Sequence, residues 1–132
     1  MFTGSSGCQI AGTEYTSKHQ RLSLYLLPPN GEPEFTAAFT DVAAYKIAPK
    51  LGRVILTVHT VPTSELISAN WDQVLLANQS GLWPGPAPQN PADASTLAFH
   101  LGLAGFTITF NSGESAWAIS RDFVLLGRRQ RA

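Results

Sequence analysis

At 132 residues and 44% hydrophobic content, the chain has the length of one domain with a genuine hydrophobic core. Nine Lys and Arg balance nine Asp and Glu, and this zero net charge argues against broad attraction to nucleic acid or anionic lipid. The single cysteine, Cys8, excludes an internal disulfide and any cysteine-based metal site.

Met1–Thr13 is rich in Gly, Ser and Thr and is expected to be loose, as are residues 127–132 at the other end. Arg21–Leu27 reads as a strand with Leu22, Leu24 and Leu26 on one face, closed by the turn residues Pro28-Pro29-Asn30-Gly31. A second strand covers Phe35–Phe39, and the apolar phase shifts at Thr40-Asp41, which predicts a bend or bulge. Val42–Ile47 is the third strand. Pro49-Lys50-Leu51-Gly52 turns the chain into a fourth over Arg53–Thr60. Turns this short predict an antiparallel meander of successive strands.

After Pro62 the period becomes helical. With Thr63 or Ser64 as N-cap, Ile67, Trp71, Val74, Leu75 and Asn78 fall on one stripe, and Gly81 is a C-terminal stop. Asn70 with Gln73 can instead cap a shorter helix that starts at Trp71. Leu82–Pro91 is a proline-rich loop. Asn90, Pro91 and Asp93 then supply a cap, a proline at the first helical position and a carboxylate at the third. The predicted second helix covers Ala92–Ala104 with Gly105 as terminator. A strand over Leu97–Leu103 is the competing reading, because its apolar residues also alternate.

Phe106–Ile119 predicts a hairpin. A turn centred on Ser112-Gly113 sets Phe110 against Ser115, Ile108 against Trp117 and Phe106 against Ile119, with every large residue on one face. Phe123–Leu126 extends the last strand or forms a short extra one. The expected class is α+β over residues 1–132 as a single domain. Its antiparallel sheet has about six strands and can be strongly curved, with two helices on one face in the order ββββ-α-α-ββ.

Little in the chain points to chemistry. His19, His59 and His100 are far apart, with no spacing for local metal ligands. Nucleophile elbows, phosphate loops and dinucleotide glycine patterns are missing, so no catalytic residue, metal or cofactor is expected. A hydrolase using Asp41 or His59 would need a cleft that sequence cannot show. No apolar run approaches membrane-spanning length, and the N-terminus does not read as a signal peptide, which makes cytoplasmic the expected location. The terminal Arg128-Arg129-Gln130-Arg131 lacks the aromatic platform of a nucleic-acid binder.

The tryptophans differ in setting. Trp71 and Trp117 read as core. Trp83 stands in a loop between prolines, where it either folds back as a plug or stands exposed. Exposed loop tryptophans anchor interfaces, so Trp83 is the first candidate for contact with a partner.

The succession Phe39–Tyr45, Arg53–Val58, Leu82-Trp83-Pro84, Gly105–Ile108 and Ala116–Ile119 resembles small, mostly uncharacterised bacterial proteins, some of which resemble immunity proteins of toxin systems. The resemblance spans roughly residues 35–120. It implies a non-enzymatic protein that occludes a cognate toxin domain. Besides Trp83, the carboxylates Glu65, Asp72 and Asp93 are candidate partner contacts, since a toxin acting on nucleic acid carries a basic cleft. The alternative function is a small-molecule carrier or sensor, with Phe35, Phe39, Tyr45 and Trp71 lining an apolar cavity between sheet and helices.

Overall fold

The computed structural model describes residues 8–28, 33–47, 56–110 and 115–128. The predicted turns at Pro29–Gly31, Pro49–Gly52 and Ser112-Gly113 lie outside those residues, as do the start of the fourth predicted strand and the last four residues.

The single six-stranded sheet with two helices is not what forms. Eight strands make two four-stranded antiparallel sheets, and there are three helices among the described residues. The first sheet joins β1 (Gln9–Thr16), β2 (Arg21–Leu27), β3 (Phe35–Thr40) and β8 (Asp122–Arg128) in that order. The second has the order β4 (Ala44–Lys46), β7 (Ser115–Ser120), β6 (Ala104–Phe110), β5 (Leu56–Val61). Between β5 and β6 the chain forms α1 (Thr63–Ala69), α2 (Trp71–Gln79) and α3 (Pro91–His100).

The meander therefore stops after three strands. Asp41 bends the chain at φ 49°, and residues 41–43 carry it from the first sheet to the second. Val42 N–H donates to the Gln20 carbonyl at 2.9 Å and Ala43 N–H to that of Ile119 at 2.8 Å, so the crossing is held on both sides. Arg121 is the whole of the return crossing from β7 to β8, and its N–H donates to the Thr40 carbonyl at 2.9 Å. The Arg121–Asp41 ion pair beside it, at 3.6 Å and well exposed, adds little to stability.

Residues 9–13, expected to be loose, open β1. A register shift between Ile10 and Gly12 lets Ile10 and Tyr15 both face inward although their numbers differ in parity. A period-2 reading cannot recognise such a strand. Residues 127 and 128 likewise belong to β8.

The hairpin register differs by one residue from expectation. Ile108 pairs with Ala116, Thr107 with Trp117 and Phe106 with Ala118. Phe106, Ile108 and Phe110 share the inter-sheet core with Leu22, Leu24 and Phe39, whereas Trp117 and Ile119 point the other way. A slip that should have left Trp117 in water instead buries it, because the helices cover the outer face of the second sheet. Small Ala116 and Ala118 then fit between the two sheets. The layers run sheet, sheet, helices.

The predicted stripe divides into two helices, and one does begin at Trp71, although Asn70 makes no side-chain cap bond to it. Asn70, at φ −127° and ψ 37°, breaks the run, and its backbone N–H and side-chain Nδ2 both donate to the Leu66 carbonyl at 3.0 Å. Pro62 rather than Thr63 or Ser64 precedes the first helical turn, without a side-chain cap bond. The end of α2 is as expected. Gly81 takes φ 84°, its N–H donates to the Asn78 carbonyl at 3.1 Å, and Leu82 N–H donates to that of Ala77 at 2.9 Å.

In α3, Asn90 Oδ1 accepts from Asp93 N–H at 2.8 Å. The helix ends earlier than expected, since Gly102 at φ 71° is its stop and Ala104 already begins β6. The strand alternative for Leu97–Leu103 does not form. Replacing Asn90 by Ala is expected to cost about 1 kcal/mol, read as a lowered urea midpoint with unchanged slope.

Candidate partner surface

The helical layer packs on the second sheet through α1 and α2, which bury Leu66, Ile67, Val74 and Ala77, while α3, with Ala94 and Ala98 buried, packs against α1. Its other side faces solvent. All three candidate carboxylates stand on helices of this layer. Glu65, Asp72 and Asp93 are exposed, each in the first turn of a different helix. The partial positive charge of a helix N-terminus accounts for a carboxylate at each of these positions without a partner.

Trp83 is not on that face. It is 2% exposed and packs with Trp117, Val74 and Ile119 between helices and sheet. The cap at Gly81 reverses the chain, and Trp83 N–H itself donates to the Ala77 carbonyl at 3.1 Å. The ring is thereby turned back under the layer, and Pro88 is buried further along the loop. The loop tryptophan is a plug.

Phe99 takes the exposed role instead. It is 82% exposed on α3, with Leu76 of α2 also exposed at 54%. Thr96 and His100 lie on the same exposed side of α3, and the Phe99 and His100 rings meet edge to face at 5.9 Å. The sequence carried a signal for this. Phe99 falls off the Ala94–Ala98 stripe once the segment is helical, but in the strand reading it would have been buried.

The residues proposed to line a cavity do not surround one space. Phe39 is fully buried between the sheets, with Phe35 and Tyr45 packed at the margin of the same core. Trp71 packs with the helical layer, on the far side of the second sheet. Tyr45 stacks on Tyr15 at 5.2 Å, linking edge strands β4 and β1. Burial, and then the neighbouring Tyr45, pushes the Tyr15 hydroxyl above its ordinary pKa.

The remaining polar candidates are scattered. Asp41 lies exposed at the sheet crossing, and His59 is half-buried on β5 opposite Thr107. Burial raises the Cys8 thiol, away from the thiolate a nucleophile needs. Among the described residues no three His, Cys, Asp or Glu side chains are grouped to hold a metal ion. No helix among them is long and apolar enough to cross a membrane. Comparisons with protein families, with curated proteins and with solved structures gave no significant match.

Proposed function

We propose that the chain is a non-enzymatic protein-binding module that docks through the solvent face of its helical layer. The carrying observation is Phe99, a large aromatic at 82% exposure on a regular helix. Exposing such a ring forgoes about 1.5–3 kcal/mol of burial, which docking would recover. The exposed carboxylates Glu65, Asp72 and Asp93 on the same layer suit a basic partner. In its most specific form, supported by the resemblance of the residues, the module is a cytoplasmic bacterial immunity-type protein and the partner a toxin domain.

The test is capture from the cells that make the protein, using tagged wild type and Phe99→Ala side by side. A stoichiometric partner is expected with wild type. Its affinity should fall by about 2 kcal/mol, on the order of thirtyfold in Kd, in the variant. Equal retention by both proteins would remove Phe99 as the anchor, and no stoichiometric partner would overturn the binding reading. A captured partner whose activity is unaffected by the wild-type protein would overturn the immunity form alone.

A further inference from the structure

We propose that the chain forms a two-fold dimer in which β8 pairs antiparallel with β8 of a second copy, continuing the first sheet across the contact. β8 is the last strand of that sheet, and among the described residues it is paired on one side only, with β3. It has seven residues and no proline, so its outward N–H groups are all intact donors for an added strand.

The two flanks of the sandwich are finished differently. On one, edge strands β1 and β4 are joined by the stacked rings of Tyr15 and Tyr45, and Ile10 of β1 is 3% exposed. On the other stand β8 and β5, the opposite ends of the same two sheets. The register sets Leu125 opposite Ala37, on the side of β8 that faces the inter-sheet core together with Phe123. Ala37 and Phe123 are buried, yet Leu125 is 51% exposed. A register shift makes Leu126 the extra residue of a bulge, and it is 47% exposed. The bulge bends the strand but adds no charge to it. Two adjacent leucines on an edge strand thus form apolar surface that no described residue covers. β5 has no Asp, Glu, Lys, Arg or Pro from Leu56 to Val61, and its register with β6 is unbroken. It lacks the charges, proline and bulge by which edges are commonly blunted, so a second copy meets no like charge there.

The occupant is a second copy because β8 is its own complement. A two-fold axis at Leu125 sets Leu125 against Leu125 and Val124 against Leu126, apolar residue against apolar residue. At the start of the strand Arg121 is paired with Asp41, which leaves the exposed Asp122 to set the charge. The sequence is basic from Arg128 onward. Antiparallel reversal therefore brings the acidic start of each β8 to the basic end of the other. The dimer does not depend on the Phe99 surface. That surface is on α3, which packs on α1 beyond the second sheet, so two docking faces stay open and the pair is bivalent.

Sedimentation equilibrium of the full chain, from micromolar to millimolar concentration, tests the pairing. Wild type is expected to dimerise with concentration. Leu125→Lys should raise the dimer dissociation constant at least about tenfold, because it sets two ammonium groups against each other on the axis. Leu126→Lys is the second variant, and the urea midpoint shows whether each is folded. Phe99→Ala should leave the constant unchanged. In a mixture of isotope-labelled and unlabelled chains, intermolecular NOEs are expected between β8 and β8. A monomer throughout that range would overturn the proposal, as would a dimer equally tight in folded Leu125→Lys and Leu126→Lys, or one lost in Phe99→Ala. A monomer whose β8 amides become protected only on binding a foreign protein would give the edge to another chain, and that also overturns the dimer.

Discussion

Replacing Trp83 by alanine is expected to destabilise the protein by about 3–5 kcal/mol, the range for losing a large aromatic from a packed core. A domain of this size has about 5–15 kcal/mol in total, so the variant should be marginal. The ring is 2% exposed in a core with Val74, Ile119 and Trp117, and a packed core relaxes only partly around so large a deletion. Trp83→Phe should recover most of the loss, because it keeps a ring and removes an indole N–H that has no acceptor among the described residues. Phe99→Ala should move the urea midpoint by no more than about 0.5 kcal/mol in free energy, as for an ordinary surface substitution. Equilibrium unfolding of the three variants checks the assignment. A Trp83→Ala protein as stable as wild type would return Trp83 to the surface.

Gly105→Ala is expected to cost about 1–3 kcal/mol, although alanine suits a strand better than glycine does. A Cβ at this position would lie 2.8 Å from the Val61 carbonyl oxygen, 3.0 Å from Leu66 Cδ1 and 3.3 Å from Thr63 Cα. Two of the three are backbone atoms, so relief requires both the end of β5 at Val61 and the start of α1 to shift from β6. The Thr63 hydroxyl also donates to the Leu103 carbonyl at 3.3 Å, which ties the start of α1 to the segment before β6. Gly12→Ala is the control, since its Cβ would meet only Tyr25 Cδ2, at an ordinary 3.5 Å. Thermal unfolding should show a clear loss in Tm for Gly105→Ala and little change for Gly12→Ala.

Local signals in the chain were legible where one residue type has one structural consequence. Asn90, Pro91 and Asp93 start a helix as their chemistry requires, Gly81 stops one, and Leu22, Leu24 and Leu26 fill one face of β2. What the sequence concealed was covered on two sides or displaced by a bulge. Trp117 looks like a partner for Ile108 only if one face of the hairpin is wet. Once helices cover that face, the alternative register buries Trp117 and Ile119 as well. The bulge at Ala11 hid β1 from any alternation test. No local feature announces that β3 and β4 belong to different sheets, apart from the phase shift at Thr40-Asp41, which was legible as a bend but not as a crossing.

The candidate site was legible in part. The carboxylates Glu65, Asp72 and Asp93 are exposed, whereas Trp83, the aromatic grouped with them as a candidate contact, takes the plug position that was its other reading. Trp83 and Phe99 exchange roles because a Schellman turn aims the one inward and the end of a helix aims the other outward. Neither direction follows from hydrophobicity, which rates both residues as core.

The claim on which the helical layer and the plug both rest is that the second sheet is buried on both faces, with Thr107 opposite Trp117. Cross-strand proton NOEs between β6 and β7 test it directly. Main-chain contacts linking Thr107 with Trp117 and Ile108 with Ala116 are expected. Contacts linking Ile108 with Trp117 and Phe106 with Ile119 would contradict it, returning the hairpin to a one-faced register and removing the helical core from beneath the proposed surface.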